Sequence, residues 1–411
     1  MKTWITYPAA IIFGLASTLL LQDWQPYVDF LGTVEPIARQ LGLFVLFPVV
    51  FSLFTAAVAS LRRYKETVIV FSSAIFWGLV SALLLSFIGM GLAIVLPFRF
   101  SPISGAETVL PEFFDFSSFY RMFIAENAFN QFSLTTTSLL PLIVLSLVFG
   151  IALRPDREAI RPAYVVVNSF AEAMMRLARI FTALGAALVL VISAKWFLDF
   201  PMFPLSQGNL WFGLGLLIAV LVAVLLVLPL LFGLSTLFRG GNPYKILLGS
   251  LGALLAGGFS GSLLFATTPL LAMNQHNCGG HKRVVGIATP LLTIFGRGGS
   301  AMVASYSIIM ILSGTGTNLS FQTMIFIALF SALFSFASAF TPGLEVVFII
   351  VFSMGGITGN GMSILQTGIM VLLPSLQMAG LVTDVAVNTF GTTFGSRVVS
   401  PDDRVTIEDM M

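Results

Sequence analysis

Charge is what this chain has least of. Asp, Glu, Lys and Arg make up 9% of its 411 residues, the formal net charge is +2, and hydrophobic residues make up 57%. Soluble domains carry charge on about a quarter of their residues, so that class is excluded. No block of basic residues is present, which excludes nucleic acid as a partner. Cysteine occurs once, as Cys278, and this rules out an intrachain disulfide and a cage of cysteine thiolates. The two histidines flank it in the stretch His276 to His281. His276, Cys278 and His281 are conceivable metal ligands, but glycines among polar residues read first as a turn between helices. No nucleophile stands beside a base within the apolar sequence, so neither an enzyme nor a cofactor is expected.

Long apolar runs are what the sequence has in abundance. They fall near 5–22, 36–60, 67–98, 132–153, 163–198, 209–237, 247–275, 284–313, 321–353 and 362–399. Runs of about 18 residues or more suffice to cross a bilayer as helices, which predicts an all-α polytopic membrane protein with the lipid bilayer as its surroundings. The run behind Met1 and Lys2 has the outline of a secretion signal; among so many similar runs it is expected to be the first membrane helix.

Basic residues orient the spans, because Lys and Arg concentrate in cytoplasmic loops. Arg62, Arg63 and Lys65 follow the second run, Arg154, Arg157 and Arg161 the fourth, and Arg239 and Lys245 the sixth. Single crossings put all three clusters, and the N-terminus, in the cytoplasm. A crossing by 247–275 would send Lys282 and Arg283 outside. A re-entrant hairpin at 247–275 removes the conflict, and Gly257, Gly258, Gly261 and Pro269 offer places to turn. A second, opposed hairpin at 321–353, interrupted at Pro342-Gly343 with Glu345 behind, returns Arg397, Arg404 and the C-terminus to the cytoplasm. The expected count is eight transmembrane helices plus two hairpins, an inverted repeat of the kind secondary transporters use.

The run at 284–313 carries Arg297 at mid-length among Gly296, Gly298 and Gly299. A charge at that depth normally faces a cavity or a partner. Three glycines in four positions weaken the helix around it, and backbone freed at membrane depth survives only in protein or beside water. A broken helix here is therefore a candidate substrate site. Glu172 and Arg176 are expected to form an i,i+4 pair, and Lys195 to sit at a helix end near the interface. The glycine-rich stretch 355–361 follows no strand and reads as a turn, not a phosphate cradle.

Several stretches resemble the dicarboxylate/amino acid:cation symporter family, the glutamate transporter fold. LFVLFPVVFSLFTAAVASL at 43–61 is similar to the family's second helix and FNQFSLTTTSLLPLIVLSLVFGIAL at 129–153 to its fourth. SFASAFTPGLE at 335–345 is similar to the tip of its second hairpin, and DVAVNTFGTTFGS at 384–396 to its last helix. The resemblance implies a homotrimer in the inner membrane. It implies a scaffold of 1–162 with 163–198 contributing, and a transport domain of 199–411 that moves as an elevator to carry a small molecule by alternating access.

The family's ion and substrate motifs are not kept. Its Asn-Met-Asp-Gly-Thr is matched by Gly296, Arg297, Gly298, Gly299 and Ser300, and its third-helix Tyr, Thr and Ser by Trp77, Val80 and Ser81. In the last helix the Asn is present as Asn388, but the following sodium-binding Asp is Thr392, the Arg for an acidic side chain is Asp384, and the Asp for an amino group is Leu381. Ser81, Gly296, Asn388 and Thr392 thus stand at ion-coupling positions. The first hairpin offers Thr267 and Thr268 instead of a serine-rich tip.

The resemblance brings Arg297, Asp384 and Glu345 to one pocket with Asn388, Thr267, Thr268, Pro342 and Gly343, the candidate substrate-binding set. One reading is a closed network in which the buried ions only balance one another. The other gives Arg297 to an anionic group of the substrate, whose carboxylate its planar fork suits, and makes Asp384 or Glu345 a proton carrier or the holder of an ammonium group. Sodium needs several hard oxygen ligands, and few remain, so a coupling proton is expected rather than sodium. An anion-conducting channel and a non-transporting sensor are the alternative functions.

Overall fold

The computed structural model describes residues 2–63, 66–96, 139–153, 157–199, 210–237, 241–314, 319–337 and 362–399; these are helices and the short links between them, with no strand among the described residues. Pro342, Gly343, Glu345 and the tip of the second hairpin lie outside them. Six described helices are long and apolar enough to cross a membrane.

Helices α1 (Thr3–Leu21), α2 (Gln25–Phe44), α3 (Leu46–Arg63), α4 (Thr67–Val95), α5 (Leu140–Ala152) and α6 (Arg161–Asp199) form the first part of the chain. The expected single run at 36–60 is in fact the junction of α2 and α3, which meet at Val45. The helix begins earlier than hydropathy suggests, because Gln25–Phe44 carries polar residues along one side. Small residues let α1 lie close on α6: Tyr7 donates to Thr182 O at 2.8 Å and Thr18 to Ala194 O at 2.9 Å. Lys195 pairs with Asp199 at 2.5 Å in the last turn of α6.

The sixth run is interrupted. Helix α7 (Leu210–Val222) passes through a π turn (Ala223–Val227) into α8 (Leu228–Ser235). Pro229 has no N–H to offer the carbonyl four residues back, and a π turn is how a helix absorbs such a defect. The carbonyl in question, Leu225 O, accepts instead from Tyr244 Oη at 3.1 Å.

Tyr244 lies in the first turn of α9 (Pro243–Ser260), and α10 (Leu263–His276) follows it. Pro243 at the first helical position and Asn242, which accepts from the Tyr244 N–H at 3.0 Å, start α9. Gly261, at φ +64°, ends it in the left-handed conformation that glycine adopts without strain. Ser262 then caps α10. The chain doubles back here, and α10 reaches about 21 Å at 1.5 Å per residue, short of the hydrocarbon core of about 30 Å.

The broken run is observed as α11 (Lys282–Phe295) and α12 (Gly298–Gly314), followed by α13 (Phe321–Ala337) and α14 (Met362–Val399). The span made by α11 and α12 is 94% buried over its apolar window, against 22% for α1. This is the centre of the molecule, gripped by α4 on one side and α14 on the other. Glu172 of α6 meets Lys282 at the start of α11 and not the expected Arg176. Helix α11 packs on α3, α4, α10 and α14, and at its start Lys282 reaches across to Glu172 of α6. The ion pair places Lys282 at the end of the bundle where α3 ends and α6 begins.

Candidate functional site

The site is built at the break between α11 and α12. Helix α11 stops at Gly296, whose N–H still reaches Leu292 O at 2.8 Å. Arg297 then stands in front of α12, its carbonyl accepting from the Ala301 N–H at 3.0 Å. The first N–H groups of any helix lack an internal partner and carry the positive end of its dipole. Here they are met by a carboxylate from 85 residues further along the chain. Asp384 Oδ1 accepts from the N–H of Gly299 at 2.7 Å and of Ser300 at 3.1 Å, and Oδ2 accepts from Ser300 Oγ at 2.6 Å. Asp384 is 0% and Arg297 4% exposed, and the two charges interact electrostatically.

Close approach makes this cap possible. A Cβ on Gly299 would lie against Gly380 O and 2.8 Å from the Asp384 N. Only glycine lets the start of α12 rest directly on the α14 backbone. Gly298 sits similarly against Ser81 of α4, where a Cβ would come within 3.1 Å of the Ser81 carbonyl.

One turn along α14, Asn388 anchors a buried network of hydroxyl and amide groups. Its Nδ2 donates to Thr289 O at 2.9 Å and to Thr293 Oγ1 at 3.1 Å, and its Oδ1 accepts from Thr392 at 3.1 Å. Thr392 and Thr289 hydroxyls are 3.2 Å apart, Asn274 Nδ2 donates to Thr289 Oγ1 at 3.1 Å, and Thr267 and Thr293 hydroxyls are 3.2 Å apart. The network ties α10, α11 and α14 together. Asn274, Thr289, Thr293 and Ser300 were not anticipated from sequence; the spacing of Thr289 to Thr293 and of Asn388 to Thr392, each i,i+4 and so on one helix face, is the signal that marks them.

The remaining expected residues are placed as follows. Thr268 does not share the surroundings of Thr267: it lines a narrow cleft with Tyr7, Gly42 and Phe181, facing α1, α2 and α6, and its hydroxyl has no hydrogen-bond partner among the described residues. Ser81 donates to Gly78 O in its own helix at 2.9 Å, and Trp77 donates to Val387 O at 2.9 Å. Glu345, Pro342 and Gly343 lie outside the described residues.

A hard cation needs several converging oxygens, carboxylates foremost. The side-chain oxygens of Ser81, Asn388 and Thr392 belong to a hydroxyl or amide and are each engaged in a hydrogen bond, while Gly296 and Gly298 offer no side chain. The carboxylate in reach of the break, Asp384, is committed to the start of α12.

The profile of the sodium:dicarboxylate symporter family matches residues 4–400 of this chain. No curated protein matches it.

Proposed function

This chain belongs to the sodium:dicarboxylate symporter family, and on that premise we propose how such a multi-pass membrane transporter works without the family's usual ion ligands. It carries a small organic anion or amino acid across the cytoplasmic membrane, with both termini in the cytoplasm. Residues 199–411 act as the transport domain and 1–162 as the scaffold, with 163–198 contributing to it. Alternating access comes from an elevator movement of the one against the other in a homotrimer, with both hairpins re-entrant.

The observation that carries this reading is the buried guanidinium at the helix break. Arg297 stands at the mid-length of the most enclosed span, where backbone leaves the helix and a cavity for cargo is normally found. We assign it the substrate's anionic group, which a guanidinium holds bidentately. Asp384 keeps α12 in register beside it and balances its charge, and Asn388 with Thr267 holds the neighbouring walls. Coupling runs through a proton rather than sodium, because the self-satisfied network around Asn388 occupies the ion-coupling positions.

A thermal-shift screen of amino acids, dicarboxylates and their amides, with and without sodium and at two pH values, is the direct test. A ligand found there is expected to raise Tm irrespective of sodium. Arg297→Ala is expected to abolish that shift. Uptake into proteoliposomes that demands a sodium gradient and ignores a pH gradient would sink the coupling assignment. Rescue of the folding of Arg297→Ala by adding Asp384→Asn, with ligand binding retained, would make the two charges a structural pair only.

A further inference from the structure

The start of α1, the middle of α6 and the end of α10 meet at one level of the bundle. Helices α1 and α6 run parallel: Tyr7 reaches Thr182 O and Thr18 reaches Ala194 O, so each residue of α1 lies beside one 175 or 176 positions further along. This register sets Trp4 level with Arg179. Asn277 Nδ2 lies 3.5 Å from Thr3 Oγ1, which brings the end of α10 to the same level, and the charge of Arg179 is felt at His276.

Three polar atoms are orphaned there. Trp4 Nε1, Arg179 Nε and His276 Nε2 are each buried with no hydrogen-bond partner among the described residues. An indole N–H and a guanidinium N–H can only donate, and His276 Nε2 donates when it carries the ring proton. Gln275 Oε1 is orphaned too, and a half-turn of its amide presents an N–H in its place. Buried donors in native proteins are nearly always met, so these call for an acceptor that the three helices do not supply.

Charge decides what kind. Arg179 has no carboxylate partner among the described residues, and Lys2 Nζ stands 6.0 Å from the Trp4 ring. Residues 2–21, 173–198 and 241–281 hold no Asp or Glu, and Glu172, two turns back on α6, is paired with Lys282. An acceptor among cations that lack a counter-charge is best an anion, and a guanidinium beside further donors suits the oxygens of a phosphate. The neighbours that face outward at this level, Ile5 and Ile180, are apolar and 47% and 56% exposed, so the approach is from the bilayer. On the positive-inside bias this end is cytoplasmic, and basic pockets between helices on that side receive anionic head groups.

We propose that Arg179, Trp4 and His276 hold a phosphate group, which the apolar rim makes that of an anionic lipid in the cytoplasmic leaflet. The site is separate from the helix break and does not depend on what is carried there.

The test uses the full chain in nanodiscs of phosphatidylcholine, with Tm followed as phosphatidylglycerol replaces part of that lipid. A parallel series adds inorganic phosphate against chloride of matched ionic strength. A rise in Tm in the lipid series is the expected result, and a rise with free phosphate alone overturns the lipid as its bearer. Arg179→Gln is expected to raise the lipid fraction needed roughly tenfold, the scale of a lost hydrogen bond to a charged group. Trp4→Phe keeps an aromatic ring without the N–H and is expected to raise it about three- to tenfold. Arg176→Gln removes an equal charge from the exposed side of α6 and is expected to change it less than about twofold, as general attraction at a surface would. The proposal is overturned if neither series shifts Tm beyond the chloride control, or if R179Q responds no more weakly than R176Q. Should R179Q fail to fold, an unchanged response of W4F overturns it alone.

Discussion

A carboxylate without access to water is tolerated when its lone pairs are used. Asp384 uses its lone pairs on the first turn of α12, which makes it an N-cap supplied from another helix. Two truncations separate its parts. Ser300→Ala removes one donor to a charged acceptor and is expected to lower stability by roughly 1.5–3 kcal/mol. Asp384→Ala also removes the charge that opposes buried Arg297 and is expected to cost roughly 3–5 kcal/mol. Unfolding in detergent, followed by tryptophan fluorescence, to which Trp77 contributes from its stack on Phe394 of α14 at 5.4 Å, measures both. Equal losses would show that the carboxylate does no more than hold the serine. That Arg297 and Asp384 are lone charges in apolar runs was legible in the sequence. What Asp384 does was not legible, because a cap that joins residues 85 apart in sequence leaves no local pattern.

At the scale of elements, hydropathy located the spans and glycine located the breaks. Gly296, Gly298 and Gly299 marked the gap between α11 and α12, and Gly261 the turn of the first hairpin, because in each case the backbone requires what other residues resist. The junction of α2 and α3 at Val45 and the π turn ahead of Pro229 escaped, since both lie inside continuous apolar sequence and depend on packing. Tyr244 repairs the carbonyl that Pro229 leaves unserved, and no pattern within either helix announces that partnership. The close contact of α12 with α14 gives the next expected outcome. Gly299→Ala places a methyl group against backbone that cannot rotate away, and overpacking of this kind costs about 1–3 kcal/mol. Because the displaced atoms are those that Asp384 bonds, ligand-induced protection is expected to fall in the same variant. The thermal-shift assay reads both, and a variant that keeps its Tm and its ligand response would show that the α12–α14 contact does not set the site.

At the scale of the molecule, an elevator requires that contacts between its two blocks be breakable. Within the proposed transport domain, α10, α11 and α14 share the threonine and asparagine network and are set to move as one. Across the proposed boundary the polar links are of two kinds: α4 is joined to the later helices by buried ones, Trp77 to Val387 O at 2.9 Å and Ser305 to Ser86 O at 2.8 Å, while those at α2 and α6 are more exposed. Glu172 meets Lys282 at the basic end, and Arg39 of α2, itself paired with Glu35, donates to Ser260 O at the hairpin turn. An exposed ion pair contributes under about 1 kcal/mol, so it restrains such a movement without preventing it. A covalent link in its place would prevent it. In a Cys278→Ser background, Glu172→Cys with Lys282→Cys joined by a short bifunctional maleimide is expected to bring uptake into proteoliposomes down to background. Either single cysteine treated alike should leave uptake unchanged. Cys278 is buried, with its thiol on Ile246 O, so the background exchange removes a competing thiol and keeps a donor there. Full transport by the cross-linked protein would mean that α6 and α11 never separate during the cycle, and the division into a fixed scaffold and a travelling domain would have to be drawn elsewhere in the chain.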